Sequence, residues 1–201
     1  MARAKYLAWI DLETTGVNEH SDPILEVGMV ITDANAPFEE LGAYEAVIEP
    51  NPARFPNWQG LMNSYVTEMH TKNGLIHDIT TGAAKSAQKV EQEMILALSA
   101  VGREHQFMIA GSGVGHFDRK FLATQMPEFT GWLQYPNLDV GVIRRAFSFS
   151  GRSDLDAFGQ TFASKGDKPH RGLADVRDHL NEMRAYAELF ESIPRVGESD
   201  G

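Results

Sequence analysis

The chain contains no cysteine, which excludes disulfides and thiolate metal sites and suits a reducing cytoplasm. It has no run of about 18 apolar residues, so no spanning helix is expected. Met1 to Lys5 leads straight into an apolar segment, without the hydrophobic stretch and small-residue cleavage site of a signal peptide. A cytoplasmic location and no membrane partner are the expectations. Positive charge is scarce: 18 Lys and Arg stand against 28 Asp and Glu, for a net charge of −10. A protein that coats duplex DNA would be basic. An enzyme whose carboxylates hold divalent cations carries such a surplus without contradiction, because the ions reverse the local field.

What is present is enough for a packed core. The 201 residues, 42 % of them hydrophobic, suit one α/β domain rather than two. We place that domain at residues 1–193, with 194–201 as a flexible tail. Lys5 to Ile10, Ile24 to Asp33 and Ala43 to Glu49 read as three strands of a meander, the first two joined by a turn at Thr14 to Asn18. Glu49 to Pro56 reads as a loop. Leu61 to His70, Ala83 to Val101 and His116 to Gln125 read as helices. Gln106 to Ala110 and Asn137 to Val140 are short strands, the second running into a helix through Phe147. Gly151 to Pro169 is glycine-rich and charged, and mobility is expected there. Gly172 to Phe190 carries Leu173, Val176, Leu180, Met183, Tyr186, Ala187 and Phe190 as one apolar stripe. The pattern predicts a mixed five-stranded sheet flanked by helices.

The chemistry starts at Asp11-Leu12-Glu13, directly after the apolar run Leu7 to Ile10. Residues two apart on a strand share a face, so Asp11 and Glu13 present paired carboxylates. Their mutual repulsion raises both pKa values, and a hard divalent cation removes that cost. Taken alone, the pair also reads as two solvated acids. Asp118 lies where a glycine-rich loop, Gly111 to His116, opens a helix; alone it reads equally as an acid favoured by the helix dipole. Asp175 falls in the first turn or so of the last helix, with His170 on the loop before it. A fixed ligand and a movable base suit metal-assisted proton abstraction. Asp178 and His179 read as solvated or supporting groups.

Asp11-x-Glu13-Thr14-Thr15-Gly16, His116-Phe117-Asp118 and His170-x₄-Asp175 together resemble the three motifs of the DEDDh 3′→5′ exonucleases. Met69 to Leu75, Asp118 to Leu122, Met126-Pro127-Glu128, Tyr135 to Val140 and His170 to Asp175 are similar to oligoribonuclease, and the likeness runs from about Tyr6 to Phe190. The resemblance implies an RNase H-like fold and release of 5′-mononucleotides from short single-stranded RNA. It further implies a homodimer. Asp11, Glu13, Asp118 and Asp175 would hold two Mg²⁺ or Mn²⁺ ions about 4 Å apart, with His170 as general base. Thr14, Gly16, Val17, Tyr65, His70 and Tyr135 are the expected substrate contacts. Two departures stand out. Thr14 occupies the place of the family's Met, as in DNA-proofreading exonucleases. Pro136 replaces the Arg that caps the substrate's 5′ phosphate across the dimer, which removes a bidentate phosphate donor. The competing readings are a proofreading-type 3′→5′ exonuclease acting on single-stranded DNA, and an inactive RNase H-like module that binds nucleic acid or a protein.

Overall fold

A computed structural model describes residues 3–152, 154–155, 158, 161 and 170–193. The expected tail and most of the expected mobile segment lie outside them. Six strands form one sheet: β1 (Tyr6–Thr14), β2 (Ile24–Asp33), β3 (Glu40–Glu49), β4 (Lys85–Ser86), β5 (Phe107–Gly111) and β6 (Leu133–Asp139). Their spatial order is β4-β3-β2-β1-β5-β6. The three-stranded meander is antiparallel, while β5 and β6 run parallel to β1 and to each other respectively. The five expected strands are all present. The sixth, β4, is two residues long, too short to leave a periodic signal.

Among the described residues the helices include α1 (Ser64–Lys72), α2 (Leu75–Thr80), α3 (Ala87–Val101), α4 (Asp118–Gln125), α5 (Pro127–Gly131), α6 (Val140–Phe149) and α7 (Gly172–Glu191). Asn63 caps α1 by accepting Val66 N–H, and Ser86 caps α3 by accepting Lys89 N–H, which fixes where each begins. The helix expected over Leu61 to His70 starts later, because Trp58–Leu61 forms a 3₁₀ turn ahead of the Asn63 cap.

Helices cover both faces of the sheet, so β2 is buried along nearly its whole length. On one face, Ala8, Ile10 and Leu12 of β1 pack with Val90, Met94 and Leu98 of α3 and with Phe121 and Leu122 of α4. On the other, Leu7 and Trp9 pack with Val176, Leu180 and Met183 of α7. Strand parity therefore puts Asp11 and Glu13 on the α7 face, continuing the row of Leu7 and Trp9 toward the start of that helix.

The seat of α7 is a glycine contact. A Cβ on Gly28 would lie 2.1 Å from the carbonyl carbon of Gly172 and 2.2 Å from the Leu173 nitrogen. A Cβ on Gly172 would lie 2.6 Å from the Gly28 nitrogen. Backbone thus meets backbone between β2 and α7, and nothing flexible can yield. Gly28→Ala should lift the start of α7 off the sheet, costing about 1–3 kcal/mol of stability by overpacking. Thermal unfolding checks this; an unchanged melting temperature would show that the contact relaxes freely.

Candidate active site

Four elements bring the predicted residues together. Glu13 of β1, His170 and Asp175 of α7 offer ligand atoms that all lie within 4.8 Å of one another. Glu13 and Asp175 are buried, and His170 is half-buried. Asp11, two residues back on the same face, is partly exposed, and its Oδ1 lies 4.0 Å from Nδ1 of His179. His179 sits one turn beyond Asp175 with a side chain only 13 % exposed, so it faces the acidic row rather than solvent.

Asp118 enters from the β5 side. β5 pairs with β1 only through Trp9, leaving the later β1 amides uncovered on that edge. Asp118 Oδ1 accepts the Leu12 N–H there at 3.0 Å, which ties the head of α4 to the stretch between the two motif acids. The glycine loop before it is held by Asp139, whose Oδ1 accepts Gly113 N–H and Val142 N–H, both at 3.1 Å.

The electrostatics are those of buried carboxylates crowded together. Burial pushes the Glu13 carboxyl up to about 9, and the neighbouring Asp175 and Glu26 push the same way. Burial likewise pushes Asp118 up to about 7, against the opposing pull of its backbone hydrogen bonds. Carboxylates so crowded fit a divalent ion, which restores their charged forms and takes oxygen ligands. A testable pH dependence follows. A folded-state pKa above the unfolded one gives stability that is full below the unfolded value and is lost as pH rises through the folded value. For Glu13 that window runs from 4.5 to about 9. With chelator present, the melting temperature should fall from pH 5 to pH 9. Mg²⁺ or Mn²⁺ should raise it more at pH 8.5 than at pH 5.5. An equal gain at both values would separate the carboxylates from metal binding.

The expected substrate contacts divide. Val17, Tyr65 and Tyr135 are strongly exposed apolar side chains. Val17 follows β1, and Tyr65 stands in the first turn of α1. Tyr135 stands on edge strand β6, beyond β5 from the acidic pair, with the Arg119 guanidinium 5.9 Å from its ring centroid. Thr14 is buried, and its hydroxyl donates to the Gly16 carbonyl at 2.6 Å, shaping the turn. His70, expected among the substrate contacts, is placed inside the fold, with Nε2 3.9 Å from the Glu13 carboxylate. It is wholly buried, its Nε2 lies 3.1 Å from the Thr14 carbonyl oxygen, and burial pushes its imidazole below the ordinary range. It braces the end of β1 from inside.

The supporting residues to which the sequence reading gave no role are Glu26, Gly28, Asn73 and Asp139, of which Asn73 and Asp139 lie within the family-like segments Met69 to Leu75 and Tyr135 to Val140. Glu26 left one signal, an acid in the middle of the otherwise apolar strand Ile24–Asp33. Gly28 left another, since a glycine inside a strand marks close backbone approach.

The sequence model of the family described as Exonuclease matches residues 8–183, so the chain belongs to the exonuclease family. Within it, the chain groups with the oligoribonucleases. It is 31 % identical to the oligoribonuclease of Cutibacterium acnes, over 95 % of this chain and 88 % of that protein. It is 33 % identical to that of Leifsonia xyli subsp. xyli, over 90 % and 81 %. Among solved structures, the nuclease domain of 3′hExo, a DEDDh family member bound to rAMP, aligns with a TM-score of 0.57 over 98 % of both chains at 18 % identity. Exonuclease I of E. coli with a dT13 oligonucleotide aligns with a TM-score of 0.62 over 93 % of this chain and 43 % of that one, at 13 % identity. These likenesses show the fold, the RNase H-like fold of the DEDD exonucleases. The protein is a 3′→5′ exonuclease of a family that works with divalent metal ions.

Proposed function

We propose that residues 1–193 act as an oligoribonuclease, trimming short single-stranded RNA to 5′-mononucleotides from the 3′ end. The observation that carries the reading is the convergence of Glu13, His170 and Asp175 within 4.8 Å; Val17 and Tyr65 are exposed apolar side chains that a base could cover. The names of the similar proteins in Cutibacterium and Leifsonia support the choice of substrate.

Asp11, Glu13, Asp118 and Asp175 are the side chains to hold two Mg²⁺ or Mn²⁺ ions. The bound ions would activate water and neutralise the charge that develops on the cleaved phosphodiester. His170 takes the proton of the attacking water; an imidazole suits this because its ordinary pKa lies near neutrality. Asp118 has a further task, since its bond to Leu12 N–H locks β1 between the two motif acids. Val17 packs against the terminal base and Tyr65 against its neighbour, while Thr14 and Gly16 shape the turn beneath them. Tyr135, with Arg119 beside its ring, serves the 5′ end of a substrate held by the second subunit of a homodimer.

The test uses purified protein with Mg²⁺ or Mn²⁺ and end-labelled RNA and DNA of two to about twenty nucleotides. RNA and DNA differ at the 2′-hydroxyl, so the paired series reads sugar preference directly. Rapid loss of di- to pentaribonucleotides with longer RNA spared is the expected result. Equal or faster digestion of long single-stranded DNA would move the protein to the proofreading type that Thr14 suggests. No digestion would leave a binding module.

A further inference from the structure

The buried ion pair behind the active site involves no predicted metal ligand. Glu26 is wholly buried on β2, directly opposite Glu13 on β1. Like charges opposite each other across a strand pair are unfavourable, and Glu26 is tolerated because three donors converge on it. Arg171 reaches Oε1 through Nε at 2.8 Å and through its terminal nitrogen at 2.7 Å, and Gly172 N–H reaches Oε2 at 2.9 Å. The other terminal nitrogen of Arg171 donates to Asp78 at 2.9 Å and to the Asn73 carbonyl at 3.3 Å. Asn73, the residue that ends α1, returns a bond of its own: its side-chain nitrogen donates to the carbonyl oxygen of His170 at 2.7 Å. The backbone of His170 is therefore held at its own carbonyl by Asn73 and at the next two residues by Glu26, although the sequence suggested a loosely held base. It also has φ of +41°, a backbone conformation uncommon outside glycine.

We propose that Asn73 and the Glu26–Arg171 pair form a latch that positions His170 for proton abstraction, with Asn73 acting on the base alone and Glu26 acting also on the seat of α7. The division follows from the contacts. Asn73 touches the carbonyl of His170, whereas Glu26 also holds Gly172, the first residue of the helix that carries Asp175. The proposal rests on the reading of His170 as the base.

The decisive variant is Asn73→Asp. It keeps the acceptor that receives Leu75 N–H and turns the donor aimed at His170 into a charged acceptor that repels its carbonyl; Asn73→Ala removes the donor without the charge. With a short ribonucleotide substrate and Mn²⁺, kcat should fall about 10- to 100-fold, as displacement of a positioned group does. KM and the Mn²⁺ dissociation constant should stay unchanged. Glu26→Gln should lower kcat and weaken Mn²⁺ binding together. The cycle with His170→Ala separates positioning from general damage, because once the base is gone the latch has nothing to place. In that background Asn73→Asp should change kcat by about twofold or less. A full additional loss in that background, or a wild-type rate in Asn73→Asp alone, overturns the latch. Asn73→Ala provides the same cycle if the aspartate variant unfolds. A wild-type rate in His170→Ala alone would instead overturn the assignment of the base, and the latch with it.

Discussion

Asp175→Ala should abolish turnover, by about 10³-fold or more, while making the metal-free protein more stable at alkaline pH. The loss of activity follows from the place of Asp175 in the cluster with Glu13 and His170. A catalytic metal ion is worth several kcal/mol of transition-state stabilisation, and each 1.36 kcal/mol is tenfold in rate. The gain in stability comes from the same carboxylate, whose charge is the strongest charged neighbour raising the Glu13 pKa. Without it the buried Glu13 ionises at lower cost. Melting curves with chelator at pH 8.5, together with rates and Mn²⁺ titrations, check both halves. A variant with undiminished rate would remove Asp175 from the site. One that loses activity and also melts lower with chelator would show that Asp175 supports the fold rather than straining it.

His170→Asn should slow kcat about 10²–10⁴-fold, the range for loss of a general base, with little change in melting temperature. The choice of asparagine matters. His170 has φ of +41°, and asparagine is among the residues that tolerate left-handed backbone best. The substitution therefore removes the imidazole and leaves the loop its shape. His170→Ala places a residue with no such tolerance there and should melt lower at a similar rate loss. If both variants turn over normally, the proton goes elsewhere.

Much of the site could be read from sequence because strand parity and helix position are local properties. Asp11 and Glu13 had to share a face once Leu7 to Ile10 formed a strand, and Leu173, Val176, Leu180, Met183 and Ala187 of the expected stripe do pack on the sheet, while Phe190 is exposed and meets Phe147 instead. Asp118 followed from the loop that opens its helix. The expected boundaries of β2 match Ile24–Asp33. Other features depended on partners far along the chain. Glu26 and Arg171 are 145 positions apart, and neither alone announces an ion pair. β6 begins at Leu133, upstream of the expected Asn137, and includes Pro136. A proline is tolerated there because β6 is the sheet edge, where a missing N–H costs no ladder bond. α2 and α5, of six and five residues, are too short to show a period. His70 follows a helical pattern that gave no hint of its burial against Thr14.

The glycine seat between β2 and α7 also sets when the enzyme can act. Translation delivers Asp11 and Glu13 early and Gly172 late, and domains fold as units as the chain emerges. Until α7 docks on Gly28, Glu26 lacks all three of its donors and the motif acids lack both His170 and Asp175. A nascent chain, or a fragment cut before Gly172, thus carries three of the four acids and His170 but neither Asp175 nor the helix that seats it. On the proposed roles of Asp175 and His170, nuclease competence waits for α7, the last of the described elements to leave the ribosome.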